Sequence, residues 1–323
     1  MSHGRVIRSS FAPPWWLKNP HLQTFWPVLL RRQAPLEYRP ERLELPDGDF
    51  VDLCWTGPET GPLVIVLHGL QGSVSSPYVI GLMRALMSSG TRGVLMHFRG
   101  CSGEPNRLAR GYHSGDTGDL GVLIDEIRAR EPDTPLAAVG YSLGGNVLLK
   151  YLGESGERTP LQAAVAVSVP LVLRAASDRL SQGLSRIYDR YLLRALLAGA
   201  EKKSAQLSAA GLDVASVLRC QSIREFDERL TAPLHGFSDA LDYYTRCSSR
   251  SFLGQVQVPT LILHAADDPF MSPSVVPQPE ELSAAVTLEL SEGGGHVGFV
   301  AGLGRYWLEE RIPEFLTAGL LRS

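Results

Sequence analysis

Five short apolar runs limit what this chain can fold into. They are Pro62–Leu67 (PLVIVL), Gly93–Phe98 (GVLMHF), Leu136–Val139 (LAAV), Ala163–Val169 (AAVAVSV) and Leu261–Leu263 (LIL). None alternates regularly between apolar and polar residues. Each therefore reads as a strand buried on both faces, as in a parallel sheet covered by helices. The stretches between them carry helical periods. Ser76-Pro77 marks a cap and first turn ahead of Val79, Leu82, Met83 and Leu86, with Gly90 as a stop. Leu120, Leu123, Ile124 and Ile127 repeat at helical spacing after the cap candidate Asp116–Thr117, and Val147, Leu148 and Tyr151 open a third helix. Strand and helix in alternation predict an α/β fold with a mostly parallel central sheet and helices on both faces. Right-handed crossovers then gather the strand ends on one edge.

Two segments break the alternation. Residues 1–40 contain Pro13, Pro14, Pro20, Pro27, Pro35 and Pro40 and read as an irregular, basic, aromatic arm. After it, Arg42–Leu45 and Val51–Trp55 flank an Asp47-Gly48 turn signal, predicting a hairpin. Residues 170–255 are rich in Leu, Ala and Arg and helical where readable, as in Ile187–Leu197. The expected organisation is thus an arm (1–40), a first part of the core (41–169), an inserted helical cap (170–255) and a second part of the core (256–323).

Composition excludes several classes. With 44% hydrophobic and 20% charged residues, the 323-residue chain is an ordinary globular sequence, neither disordered nor fibrous. Its longest nearly apolar runs, such as Ala163 to Leu173, fall short of the roughly 18 residues that span a bilayer. No export signal is legible, and Cys54, Cys101, Cys220 and Cys247 form neither a C-x-x-C pair nor zinc-finger spacing, so reduced thiols in the cytoplasm are expected. No metal spacing such as HExxH occurs, and no cofactor or metal is expected. The net charge of −3 hides an asymmetry: residues 1–40 carry +5 and the remainder −8. The basic arm, with Trp15, Trp16, Phe25 and Trp26, is expected mainly to pack on the body. Peripheral contact with an anionic membrane is the alternative, and nothing favours nucleic acid.

The chemistry concentrates at Pro135–Asn146, PLAAVGYSLGGN, where a buried strand runs through Gly140-Tyr141-Ser142-Leu143-Gly144 into a helix. This G-x-S-x-G pattern arises by chance roughly 0.3 times in such a chain, so its strand-turn-helix context carries the weight. Small flanking residues let the backbone turn sharply while the serine hydroxyl stays exposed at a helix N-terminus. A serine needs a base and an orienting acid, in the order Ser, acid, His on this architecture. Of the later histidines, His264 lies within a strand run and His235 within the cap. His296, in SEGGGHVGF, occupies a loop that can reach the sheet edge, and is the expected base. The acid comes from LILHAADDPF, where both Asp267 and Asp268 are candidates. Asp268 holds the fourth place of a G-x-x-D-like turn, with Ala265 for the glycine, and Asp267 is the alternative or a turn-capping residue. The oxyanion donors are expected at the amides of Leu143 and of Leu70, in the loop His68-Gly69-Leu70-Gln71-Gly72, with His68 as a brace.

Several phrases together resemble one family, and they run along nearly the whole chain. They are PPWWLKNPHLQTFWP (13–27), HFRGCSGEPN (97–106), YHSGDTGDL (112–120), GYSLGGN (140–146), FDERLTAPLHGFSDALDYY (226–244), HAADDPFM (264–271) and GGHVGF (294–299). The sequence resembles the α/β-hydrolase superfamily, and in wording its YheT-like branch, the AB hydrolase 4 family. That resemblance implies an α/β-hydrolase fold and an ester hydrolase with Ser142, Asp268 and His296 as triad. It also implies carboxylesterase, acylglycerol or phospholipid substrates. The leading expectation is a cofactor-independent serine esterase acting on small-molecule carboxylic esters, most readily short-chain ones. A monoacylglycerol or phospholipid lipase at a membrane surface and a catalytically silent binding protein are the alternatives. Arg99, Cys101 and Glu104 are expected to build a loop more than to line the pocket, and His113 shows no second partner. Oligomeric state is not legible.

Overall fold

A computed structural model describes residues 3–320. Nine strands form one sheet: β1 (Arg5–Arg8), β2 (Arg39–Glu44), β3 (Phe50–Thr56), β4 (Leu63–Leu67), β5 (Arg92–Met96), β6 (Leu136–Tyr141), β7 (Ala163–Val167), β8 (Thr260–Ala265) and β9 (Val286–Ser291). Their spatial order is β1-β9-β8-β7-β6-β4-β5-β3-β2. Within this sheet, among the described residues, the β2–β3 and β3–β5 strand pairs are antiparallel and the rest parallel. The five apolar runs fall on β4 to β8, and every residue of these strands is buried. The hairpin turns at Gly48, whose φ of +84° favours glycine.

Alternate residues of the central strands face two cores. Leu63, Ile65 and Leu67 pack with α3 (Gly118–Arg130) and α4 (Leu143–Ser155). Val64 and Val66 pack with α2 (Pro77–Ser88) and the C-terminal helix Leu308–Leu320. Each fully buried Leu, Ile or Val contributes about 1.5–3 kcal/mol, so the two faces carry most of the stability. The expected caps differ in detail. Neither Ser76 nor Thr117 caps its helix through its side chain. The Ser76 hydroxyl instead accepts from the Ser73 amide, and the Thr117 hydroxyl donates to Glu154.

Between β7 and β8 the described chain forms helices and loops without a strand, with α5 (Leu173–Leu180), α6 (Arg186–Lys202), several short helical turns and the helix Ala240–Cys247. Part of it closes its own small core around Leu193, Leu207, Val217 and Phe226.

The reading of residues 1–40 as irregular is corrected. β1 lies parallel to β9 at the sheet edge, and α1 spans Pro20–Leu30. The prolines misled because two of them suit a helix here. Pro20 occupies the first turn, where no backbone donor is needed, and Asn19 caps it by accepting from the His21 and Leu22 amides. Pro27 removes the donor that the Gln23 carbonyl would otherwise use. That carbonyl faces Gly298, where a Cβ would lie 2.3 Å from its oxygen. All four cysteines are free thiols. Among the described residues no helix is long and apolar enough to cross a membrane.

Candidate active site

The sheet register brings the functional loops together. Leu67 pairs with Gly140, setting the loop after β4 beside the turn after β6. Ala265 pairs with Ser291, setting the two aspartates beside the His296 loop. At the β6–α4 turn Ser142 adopts φ +50°, ψ −116°, a strained conformation for a residue with a side chain. Its amide donates to the Val167 carbonyl at 2.8 Å. The flanking glycines are required by contact: a Cβ on Gly140 would lie 2.4 Å from the Gly144 carbonyl oxygen, and one on Gly144 2.6 Å from the carbonyl oxygens of Leu67 and His68.

Ser142 Oγ lies 3.0 Å from His296 Nε2, and His296 Nδ1 lies 2.8 Å from Asp268 Oδ2. Asp268 is buried, and its other oxygen accepts from the Phe270 amide at 2.8 Å. Asp267 takes a different place: its Oδ1 accepts from the Gly295 amide at 3.0 Å, bracing the histidine loop from below. Burial raises its pKa. The other histidines stand apart from the serine. His264 is buried within β8, and His235 packs edge-on against His113 with a pKa lowered to about 3 by burial.

Sequence reasoning missed what holds His296. Its backbone N–H donates to Thr24 Oγ1 of α1 at 2.9 Å, and the Thr24 hydroxyl donates to the Pro20 carbonyl at 2.8 Å. Buried Gln23 grips the next turn of the loop, donating to the Leu17 and Val300 carbonyls and accepting from the Val300 amide at 2.7 Å. The Val297 amide donates to Ser168 Oγ at 3.0 Å. Phe270 stacks on the imidazole with centroids 3.9 Å apart and planes 3° from parallel. Tyr188 of α6 packs on Phe270 and stacks on Phe25 of α1. The aromatic wording of α1 was legible as packing, but its target was not.

The loop after β4 is fixed on both sides of Leu70. Tyr78 Oη accepts from the Gly69 amide, and Tyr112 Oη from the Gln71 amide, both at 2.9 Å. His68 is a brace: Nδ1 meets the Gly69 carbonyl at 2.7 Å and Nε2 accepts from the Phe98 amide at 3.1 Å. Burial holds its pKa down at about 3, so the ring is neutral. Among the described residues neither the Leu70 nor the Leu143 amide donates to a protein acceptor. Two such free N–H groups beside a serine can receive a developing oxyanion.

The RGCSGEPN loop is built as architecture. Buried Arg99 binds Asp119 through two 2.7 Å hydrogen bonds and Asp47 through a third, while Asn106 donates to Asp49. Burial pushes the Cys101 thiol up to about 12, so it is no thiolate at neutral pH. Arg99 and Asn106 nevertheless also line a cavity of about 320 Å³ under α6. A smaller cavity of about 100 Å³ opens beside Ser142, walled by Leu70, Leu143, Leu173, Phe270, Met271 and Asp227. Among the described residues no group of three or more His, Cys, Asp or Glu is placed to hold a metal ion.

A largely parallel sheet of this order, with a serine on a strained turn after a central strand, defines an α/β hydrolase. The model of the family described as alpha/beta hydrolase fold matches residues 62–303. The chain is 47% identical over 320 residues to the Escherichia coli protein named "Putative esterase YheT", covering 97% of this chain and 94% of that one. It is 32% identical over 311 residues to the mouse phospholipase ABHD3, covering 93% and 76%. A solved esterase from Pyrococcus furiosus superposes with a TM-score of 0.59 at 16% identity, over 90% of this chain and 98% of that one, a likeness of fold. The chain belongs to the α/β-hydrolase fold family, in its YheT-like branch, and is a hydrolase.

Proposed function

We propose that the protein cleaves carboxylic esters, short-chain acyl esters above all, through an acyl-enzyme on Ser142. The observation that carries this reading is the continuous contact from Ser142 Oγ through His296 to buried Asp268, at 3.0 and 2.8 Å. Ser142 Oγ attacks the acyl carbon while His296 Nε2 takes its proton, and the carbonyl electrons move onto an oxygen held by the Leu70 and Leu143 amides. Asp268 accepts the hydrogen on Nδ1 and stabilises the imidazolium. When the tetrahedral adduct collapses, the ester C–O bond breaks and the alcohol leaves with the proton from His296. Water, deprotonated by His296, then attacks the acyl-enzyme, and Ser142 regains its proton as the acid departs.

The 100 Å³ cavity supports short acyl groups. In this reading residues 170–255 are a cap over the core formed by 41–169 and 256–323, and residues 1–40 serve the histidine loop. The free thiols support a reducing compartment, the cytoplasm. The test is hydrolysis of nitrophenyl acetate and butyrate with Ser142→Ala as the blank. Loss of such a nucleophile costs up to about 10⁶ in turnover. Full activity in the variant, or wild-type protein unreactive toward a fluorophosphonate probe, refutes the assignment.

A second reading moves the same chemistry to a membrane surface, as a monoacylglycerol or phospholipid lipase. The mouse relative's name and exposed apolar side chains on the arm and on α6 favour it: Trp15 is 83% exposed, Leu29 72% and Tyr191 69%. On α6, the helix that carries Tyr191, Arg186, Arg190 and Arg194 are exposed as well. Sedimentation with phosphatidylglycerol vesicles, compared between wild type and Trp15→Ser/Leu29→Ser, decides; no binding by the wild type removes this reading.

A further inference from the structure

The segment FDERL, within one of the phrases that mark the family, has no part in the chemistry described so far. Its aspartate sits where a function is expected. Asp227 opens a five-residue π-helical turn, Asp227–Thr231, a rare geometry that concentrates at functional positions. The carboxylate is buried and lines the same cavity as Ser142. Much of that wall is apolar, including Leu173, Ala176, Leu180 and Ile223.

A buried carboxylate facing an apolar cavity is expensive unless something there uses it. Asp227 has two protein partners: its Oδ1 accepts from Thr231 Oγ1 and its Oδ2 from Tyr244 Oη, both at 2.7 Å. Among the described residues no Lys, Arg or His forms an ion pair with it. A carboxylate offers about four acceptor sites, so capacity remains after two hydrogen bonds. Burial lifts its pKa to about 6, which leaves it mostly ionised at neutral pH and able only to accept. Tying the 240–247 helix to the π turn would not need a charge, since a well-packed apolar pair does that as well or better.

We propose that Asp227 determines specificity by accepting a hydrogen bond from a hydroxyl of the substrate, so that the site selects hydroxyl-bearing esters over their apolar isosteres. The inference rests on the serine esterase reading above and adds the substrate class. The hydroxyl belongs to the alcohol or to the acyl part, and two isosteric pairs separate these. One pair is 2-hydroxyethyl butyrate against propyl butyrate; the other is ethyl 3-hydroxybutyrate against ethyl 3-methylbutyrate.

The readout is the ratio of kcat/KM within a pair on a single preparation. It is independent of the fraction of protein correctly folded. In the wild type at pH 7.5 one pair should show a preference of about ten- to hundredfold for the hydroxyl ester, the range of a charge-assisted hydrogen bond. Asp227→Asn keeps the shape and loses the charge, and should lower the ratio to an intermediate value. Asp227→Leu should bring it near one. A wild-type ratio near one in both pairs, or a preference that survives in the variants, overturns the proposal while leaving the esterase intact. Failure of the wild type to turn over any of the four esters overturns the esterase reading, and this proposal with it.

Discussion

Thr24→Val should slow the enzyme from a position far from the chemistry in sequence. The substitution keeps the β-branched shape and removes one oxygen. That oxygen is committed in direction: its hydrogen goes to the Pro20 carbonyl, which turns a lone pair toward the His296 amide at 2.9 Å. With valine there, the His296 N–H loses its partner, in a residue only 9% exposed. An unsatisfied buried donor costs about 1–3 kcal/mol. The loop can escape that cost only by moving the amide to water, and the imidazole moves with it, away from Ser142. If the whole cost appears in the position of the base, kcat falls about five- to 150-fold, at one decade per about 1.4 kcal/mol. The assay is kcat on nitrophenyl butyrate, with active sites counted by fluorophosphonate titration and Tm measured in parallel. Thr24→Ser restores the acceptor and should restore kcat. A Thr24→Val enzyme with full kcat, whatever its Tm, shows that the contact stabilises the fold without positioning the histidine.

Other perturbations follow from single contacts. Gly144→Ala places a methyl group 2.6 Å from two backbone oxygens that have no side chain to swing away. It should cost about 1–3 kcal/mol or more and abolish turnover, and a folded, fully active variant contradicts the elbow packing. Phe270→Ala removes the ring stacked on His296, a contact worth about 0.5–1.5 kcal/mol, and should lower kcat/KM by roughly two- to tenfold; an unchanged value argues that the hydrogen bonds alone orient the imidazole. The raised pKa of Asp227, about 6 against an ordinary 3.8, makes the wild type lose stability as pH rises. Below about pH 4 the group is protonated in both folded and unfolded chains and carries no penalty. Between pH 4 and 6 ionisation is resisted only in the folded state, and above that the cost reaches about 3 kcal/mol in order of magnitude. The Tm of Asp227→Asn relative to wild type should therefore climb from pH 4 to pH 7, and a flat difference refutes the shift.

The sheet was legible because its central strands are buried on both faces, and continuous apolar runs such as PLVIVL have few other structural uses. The placement of Ser142 was legible for a related reason: only a turn this tight requires glycine at both 140 and 144. His296 and Asp268 were singled out by order along the chain and by their loop positions, and the structure brings both into one chain of contacts with Ser142. The first 40 residues were not legible. Counting prolines treats each as a breaker, whereas Pro20 starts a helix behind Asn19 and Pro27 frees a carbonyl beside Gly298. An Asn-Pro pair before a helical period was the available signal. The roles of Gln23 and Thr24 had no local signal, because their partners lie 277 and 272 residues away. Asp227 was hidden in another way: its setting depends on Tyr244 and Thr231 meeting across a π turn, which no period in the sequence announces.

The docking of α1 on the histidine loop also sets an order of events during synthesis. Thr24 and Gln23 leave the ribosome long before the backbone groups of His296 and Val300 that they hold. At about 5–20 residues per second the separation of 272 residues is a wait on the order of ten to sixty seconds. β1 waits as well, since its neighbour β9 is made late. Through that interval Ser142 can already stand on its elbow, but His296, the base of the proposed mechanism, is missing or unsupported. On the proposed mechanism, the nascent chain therefore carries its serine without a seated base until α1 and the histidine loop meet.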